Sequence, residues 1–293
     1  MIDNPNERSS HLVPTPRAGG IGIYMVVIFG GVFVIRDVLF AFIALVVGLL
    51  GFLEDRFALS SRIRLLFQLT LSVAVVFFFL GIPTTIGEIS FFLFWVIFIT
   101  GTANFYNFMD GINGIAGLAG LIGFGLMAYF SYFIVKNLNI ALMSIVLSSA
   151  CLGFLPFNIP KAKVFMGDVG SILLGFVFAA MVMWLTKDML DFICLSSFLF
   201  PFYADELTTM YIRLKSGGNL FKPHRRHLYQ IFANKKAIPH WKVSFGYGVF
   251  QLIVGLSVLF MRPLGIFPII VVLLAWSGGF ILLTNGIRKK LNV

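Results

Sequence analysis

Charge is what this chain has little of. Only 12% of its 293 residues are Asp, Glu, Lys or Arg, about half the share of an ordinary soluble domain. Acids are the scarcer sign, 12 against 22 Lys and Arg, which leaves a net charge of +10. Cysteine is nearly absent: Cys151 and Cys194 are the 2 present. Both sit in apolar surroundings, form no disulfide framework and offer no metal-ligand spacing, so buried packing is their expected role. No cleavable signal peptide is visible. The first 18 residues are polar and Pro-rich, so the helices themselves are expected to drive membrane insertion. No internal repeat is apparent, and the inverted-repeat signature of many transporters is missing with it.

Apolar surface is what the chain has in abundance. Hydrophobic residues make up 59% of it, and Phe alone occurs 35 times. A soluble fold of this length could not hide so much, so lipid must be part of the solvent. The expected fold is all-α: a polytopic membrane helical bundle with about ten transmembrane helices. The candidate spans are Gly20–Ile35, Val38–Leu53, Leu65–Leu80, Ile89–Phe105, Ile115–Val135, Leu138–Phe157, Ser171–Thr186, Phe192–Ala204, Val243–Met261 and Gly265–Thr284. They form a single integral membrane domain over residues 1–293, with one long polar loop at about 205–242.

The basic residues fall in short loops between apolar runs, so membrane orientation explains them and nucleic acid does not. Arg36, Lys136, Lys187 and Arg262 lie on one side, and the rest of the 22 Lys and Arg on the other. That imbalance marks the crowded side as cytoplasmic, places both termini there and predicts an even number of spans. Glu54, Asp55, Asp110, Asp168, Asp205 and Glu206 fall on the same side, at helix ends or in loops. Any one of them could be a solvated cap. Six on one face, in Gly- and Asn-rich segments, point to a site.

Five segments on that face carry chemistry. Pro14–Gly22 is rich in Pro and Gly, which lets backbone N–H groups approach a ligand at a helix start. Gly51–Phe57 contains adjacent Glu54 and Asp55, able to hold Mg²⁺ or take a proton, or else to form a helix terminus neutralised by Arg56. In Asn104–Gly114, Asn104, Asn107 and Asp110 recur every three positions. On a helix they would align on one face, a pattern that suits a sugar or a phosphate–metal site. In Phe157–Ser171, a Gly-Asp-x-Gly-Ser turn opens the next apolar helix. Asp168 could ligate a metal there, with N-capping by Asp168 or Ser171 as the plainer alternative. Finally, Pro223–Gln230 places Arg225, Arg226, His224 and His227 together, which suits anion recognition or a polybasic lipid contact.

Taken in order, Asp3–His11, Pro14–Gly20, Gly51–Arg64, Asn104–Gly114, Phe157–Gly175 and Pro223–Gln230 resemble one family. It is the polyprenyl-phosphate N-acetylhexosamine-1-phosphate transferases, bacterial glycosyltransferase family 4. The Pro-His-Arg-x-His-Leu-Tyr-Gln ending looks like the O-antigen-initiating branch. The muramoyl-pentapeptide transferases carry a triple-histidine motif at that place. The resemblance implies transfer of an N-acetylamino-sugar-1-phosphate from a UDP-sugar to undecaprenyl phosphate. The products would be undecaprenyl-diphospho-sugar and UMP, at the first membrane step of O-antigen or cell-surface polysaccharide synthesis. It implies Mg²⁺ (or Mn²⁺) as cofactor and a bacterial inner membrane location with the active site facing the cytoplasm.

Carried over by motif, Asp168 and Asp110 are the metal candidates. Glu54, Asp55, Asp110 and His227 are the catalytic ones. Asn104, Asn107, Asn113, Phe165, Arg225 and His224 are the candidates for substrate binding. Glu54 stands where the family usually has the first of two aspartates. Asn113 stands where a second aspartate is common, which argues against a direct metal role. Relatives usually carry one more membrane helix before the Asp-x-Pro-Asn motif, so either a helix precedes Met1 in a longer protein or this protein lacks it. The competing function is a transporter or flippase for a lipid-linked or anionic substrate, which would need charged or broken helices near the bilayer midplane. The sequence names neither the sugar nor the oligomeric state, and a homodimer stays open.

Overall fold

The computed structural model describes residues 2–3, 14–57, 60–217 and 225–291. A two-residue antiparallel pair, β1 (Ile2–Asp3) with β2 (Thr15–Pro16), precedes the helices. The helices are α1 (Gly19–Phe29), α2 (Val38–Phe57), α3 (Ser61–Leu80), α4 (Ile86–Met109), α5 (Ile115–Tyr129) and α6 (Leu138–Asn158). After them come α7 (Gly167–Leu185), α8 (Met189–Ser196), α9 (Phe200–Lys215), α10 (Leu228–Gln230), α11 (His240–Met261) and α12 (Ile266–Leu291). The all-α membrane architecture is as expected.

The span count differs from the expectation of ten. Among the described residues, 7 helices are long and apolar enough to cross a bilayer: α3, α4, α5 with its extension to Val135, α6, α7, α11 with its extension to Leu264, and α12. The stretch Gly19–Ile35 is apolar but shorter. Helix α2 carries Glu54, Asp55 and Arg56 near its end. Phe192–Ala204 is no continuous helix, because a 3₁₀ turn at Ser197–Leu199 separates α8 from α9. Pro201 lies in the first turn of α9. It has no N–H to donate and crowds the preceding turn, so the break falls just upstream of it.

Helix α7 is the hub. In its most apolar window 83% is buried, against 11% for α12. Helices α1, α2 and α4 pack on it. Glycines make the approach close: a Cβ on Gly20 would strike the backbone at Met166 and Gly170, and one on Gly51 the backbone at Asp168 and Val169. Membrane helices gain packing in this way because lipid offers no hydrophobic drive for their association. The outcome is functional, since these contacts bring the end of α2 and the starts of α1 and α7 together.

At the opposite, far end, two hairpins share a turn. Helix α1 continues as a π turn, Gly30–Ile35, and α5 as another, Phe130–Val135. Arg36 and Lys136 follow in left-handed conformation, φ 57 and φ 62. The Asp37 amide donates to Gly31 O at 3.0 Å and the Asn137 amide to Ser131 O at 2.9 Å. Asp37 and Asn137 then cap α2 and α6, accepting from Phe40 at 3.0 Å and Ile140 at 3.1 Å. The equivalent positions (31 and 131, 36 and 136, 37 and 137) are offset by 100. The likeness is local to these turns, and residues 33–38 and 133–138 share it in sequence as well.

All four cations of the far side follow helix C-termini. Arg36 and Lys136 end the two π turns, Lys187 follows α7, and Arg262 caps α11. The partial negative charge of a helix C-terminus favours a cation there.

Candidate active site

Three helix ends and one extended segment converge at the basic end of the bundle. Asp55, near the end of α2, turns its carboxylate onto the start of α7. Its Oδ2 accepts from the Val169 N–H at 3.1 Å. The residue before α7, Met166, gives no side-chain cap, so a carboxylate from α2 serves that helix instead. Asp55 Oδ1 is buried without a hydrogen-bond partner, 4.0 Å from an Arg17 nitrogen. Glu54 pairs with Arg64 of α3 at 2.5 Å, and its Oε2 is likewise buried without a hydrogen-bond partner. Arg64 also lies 3.7 Å from Asp168 Oδ2. Arg17 is fixed by Asp3 at 2.9 Å, across the short β pair.

Asp168 opens α7. Its Oδ1 accepts from the Asn107 side-chain amide at 2.8 Å, and the same amide nitrogen donates to Ser171 Oγ at 2.9 Å. Ser171 donates in turn to Gly167 O at 3.0 Å. The row expected on α4 is thus divided between two neighbours. Asn107 faces α7, whereas Asn104 donates to Gln68 of α3 at 2.5 Å and to Thr100 O at 2.8 Å. Asp110 ends α4 as its C-cap.

The electrostatics of these acids share one pattern. Asp110 and Asp55 lie beyond the apolar stretches of their helices. Burial, and then the Asp168 charge, push Asp110 up to about 7 and Asp55 to about 6. Glu54 is raised by the same two causes in the same order, against the pull of Arg64. Carboxylates gathered in a low-dielectric pocket resist carrying their charges together. A hard divalent cation would relieve them, and the two unbonded oxygens are acceptors of the right chemistry. Among the described residues, no three His, Cys, Asp or Glu side chains converge as a ready metal cage. Mg²⁺ asks for less, commonly one or two carboxylates with waters and substrate phosphates completing its shell. The donor set therefore fits such an ion.

The remaining candidates lie on neighbouring segments. Phe165 donates its amide to Pro16 O at 2.8 Å and accepts from the Gly19 amide at 2.9 Å, stitching the start of α1 to the strand of chain before α7. Asn113 bridges loops: its side chain reaches Pro160 O at 3.4 Å, and its carbonyl accepts from Ser244 Oγ at 2.7 Å. Its neighbour Gly114 adopts φ 88, a conformation suited to glycine, and donates to the buried Asn158 side chain at 2.5 Å.

His227 lies in a second cluster. It is 3% exposed, with Nδ1 3.7 Å from Asp205 and Nε2 3.4 Å from Glu206, and its ring stacks on Tyr229 at 5.6 Å. Asp205 is the organiser: it accepts from the amides of Leu228 at 2.8 Å and Tyr229 at 3.3 Å, and from the Tyr247 hydroxyl at 2.7 Å. The Tyr229 hydroxyl reaches Phe108 O at 3.0 Å and so ties this cluster to the α4 end that bears Asp110. Arg225 is half-buried at the edge of the same segment. His224 lies outside the described residues.

Sequence reasoning assigned no site role to Arg17, Arg64 or Gln68. Each belongs to a helix or turn that approaches the acids only in three dimensions. Arg64 is 10 positions from Glu54, across the α2–α3 connection.

Comparison with known proteins gives a consistent picture. A family model described as glycosyl transferase family 4 matches residues 38–186. The undecaprenyl-phosphate alpha-N-acetylglucosaminyl 1-phosphate transferase of Thermotoga maritima is 34% identical over 251 residues, 83% of this chain and 75% of the relative. The phospho-N-acetylmuramoyl-pentapeptide-transferase of Staphylococcus saprophyticus is 30% identical over 286 residues, 83% of this chain and 86% of the relative. That of Streptococcus pneumoniae serotype 19F is 29% identical over 246 residues, 75% of this chain and 74% of the relative. The family match covers α2 to α7, the stretch that supplies Glu54, Asp55, Asp110 and Asp168.

Proposed function

The chain belongs to glycosyl transferase family 4, and from that premise we propose that it transfers an N-acetylamino-sugar-1-phosphate from a UDP-sugar to undecaprenyl phosphate. The acceptor phosphate oxygen attacks the phosphorus that carries the sugar. The bond from that phosphorus to UMP breaks, UMP leaves, and undecaprenyl-diphospho-sugar remains. The observation that carries the reading is the meeting of Glu54, Asp55 and Asp168 beside Arg17 and Arg64, with two buried carboxylate oxygens left without hydrogen bonds and Asp110 within reach of their charges.

In this reading Asp168 and Asp110, with Asp55 beside them, hold Mg²⁺ or Mn²⁺. Bound there, the ion would neutralise charge building on the diphosphate as UMP departs. Asn107 fixes the Asp168 carboxylate in one orientation. Asp55, aimed by the Val169 amide, sits at the paired-acid position assigned to activating the acceptor phosphate. Arg17 and Arg64 supply positive charge for phosphate oxygens. Phe165 and Asn113 flank the nucleotide base. Arg225 and His224 meet phosphate from the long loop. His227, enclosed by Asp205 and Glu206, positions residues 225–230 in place of acting on substrate. The active site faces the cytoplasm of a bacterial inner membrane, where nucleotide sugars are available.

The donor is an N-acetylhexosamine of the O-antigen or surface-polysaccharide class, supported by the Pro223–Gln230 sequence and its single, interrupted histidine pair. Purified protein given UDP-N-acetylglucosamine, UDP-N-acetylgalactosamine or UDP-N-acetylmuramoyl-pentapeptide should release UMP with one of the first two. Release should require both undecaprenyl phosphate and Mg²⁺. Turnover of the muramoyl donor alone would move the chain to the peptidoglycan branch. No release from a folded preparation with any donor would end the proposal.

A further inference from the structure

Near the basic end, an apolar opening lies away from the carboxylates. A fissure of about 440 Å³ runs between α11, α12 and the segment after α10. Phe232, Phe250, Trp276 and Phe280 form its walls, and Leu283, half exposed, stands at its open side. Gly246 on α11 and Gly279 on α12 face into it, and a Cβ added at either would meet nothing within 4 Å. The two glycines leave space between the helices that no side chain fills, and α12 is the least buried of the membrane helices. Walls of this kind do not hold water.

Position and charge indicate what fills it. On α11 the lining runs from Lys242 to Phe250. At 1.5 Å per residue that is about 12 Å, close to the roughly 15 Å depth of one leaflet's hydrocarbon. The mouth is basic. Lys242 lines it directly, and Lys236 lies 5.5 Å from the ring of Phe232. On α12 the stripe Trp276, Phe280, Leu283 continues at helical spacing to Ile287 and Lys290. Among the described residues, no acid lines the fissure. We propose that it is a binding site for a membrane phospholipid with an anionic headgroup, its acyl chain between Gly246 and Gly279 and its phosphate at Lys236 and Lys242. Basic pockets between membrane helices suit such headgroups.

The site also touches the loop discussed above. Leu228 and Tyr247 line the fissure, and both are hydrogen-bonded to Asp205, the residue that holds His227 and Tyr229 in place. An occupied fissure would brace residues 225–230 from behind. The binding proposal itself needs only the membrane-spanning character of α11 and α12, and so stands or falls apart from the transferase reading.

Native mass spectrometry of the full chain in detergent, titrated with phosphatidylglycerol or phosphatidylcholine of matched acyl chains, tests it. One phosphatidylglycerol should be retained about 10- to 30-fold more tightly than phosphatidylcholine, and the Lys236→Glu, Lys242→Glu double variant should abolish that preference. Gly279→Leu, or Gly246→Leu from the opposite wall, should prevent retention of either lipid while the thermal unfolding midpoint stays at or above that of the parent protein. Equal retention of both lipids by the parent chain would overturn the proposal, as would folded leucine variants that bind like the parent. Displacement of phosphatidylglycerol by equimolar undecaprenyl phosphate would give the fissure to the acceptor instead. A dimer lost on Gly279→Leu would give it to a second copy of the chain.

Discussion

The two ends of this bundle use the same side chains for different purposes. At the far end every acid has a structural task. Asp37 caps α2, Glu88 completes a capping box with Thr85, Asp188 caps α8, and Asp191 pairs with Arg262 at 2.6 Å. Cations there sit on helix C-termini. At the basic end, Asp205 is fully employed in holding one segment, yet Glu54, Asp55 and Glu206 each keep a buried oxygen without a hydrogen bond. Leaving such an acceptor unsatisfied costs about 1 to 3 kcal/mol. The cost falls where the proposed reaction needs acceptors for a ligand. The comparison teaches that what an acid does depends on the helix end it occupies and on what packs there, not on its residue type.

The sharpest way to break the comparison is to make one chemical change at both ends. Asp168→Asn keeps an oxygen to accept from Asn107 but removes the charge that a divalent cation and a diphosphate would need. UMP release should fall by about 10³-fold or more. The thermal unfolding midpoint should hold or rise, since one of several crowded charges has gone. Near-parental turnover would return Asp168 to a capping role like those of the far end.

A smaller effect concerns pH and the cation together. Asp55 and Asp110 are raised to about 6 and about 7, from ordinary carboxylate values near 4. A group raised on folding gives stability that is present below its unfolded value and is lost as pH rises through its folded one. Chelator-treated protein should therefore lose thermal stability between about pH 4 and pH 7. Mg²⁺ should restore more of it at about pH 8 than at about pH 5, because the ion competes with protons for the same oxygens. An Mg²⁺ shift of equal size at both pH values would place the ion away from these acids.

How much of this was legible depends on which physical signal each feature leaves in the sequence. Apolar runs gave the helices because bilayer thickness fixes their length, and Lys and Arg placement gave the two ends. Asp55, Asp110 and Asp168 were legible because acids next to Gly and Asn at the end of an apolar run are hard to explain otherwise. The break at Pro201 was hidden in a run whose hydropathy continues through it. Arg17 and Arg64 were not assigned, since nothing local distinguishes them from other loop arginines. His227 stood in the sequence as a catalytic candidate within an anion-recognising loop. Its enclosure by Asp205 and Glu206 depends on α9, which begins 27 positions earlier in the chain. The repeated turn was missed because its sequence likeness, residues 33–38 against 133–138, is short and conservative rather than identical. Arg36 and Lys136 adopt positive φ, where glycine would have been the recognisable sign.

That hairpin supplies the smallest and most discriminating prediction. The chain already makes the exchange internally: Asp37 in the first hairpin is Asn137 in the second, with acceptor distances of 3.0 and 3.1 Å to the capped amides. A cap needs an oxygen at that point, and aspartate and asparagine provide it about equally. Asp37→Asn should therefore change unfolding stability by only a few tenths of a kcal/mol, whereas Asp37→Ala, which removes the oxygen, should cost about 1 kcal/mol. Neither should alter UMP release per folded molecule. The decisive readout is the ratio of two Asp→Asn effects, negligible at residue 37 and near total at residue 168, although each retains the acceptor oxygen its neighbour uses. If Asp37→Asn instead proved as damaging as Asp37→Ala, the charge itself would be at work at the far end, and the division between structural and chemical acids drawn from these two ends would fail.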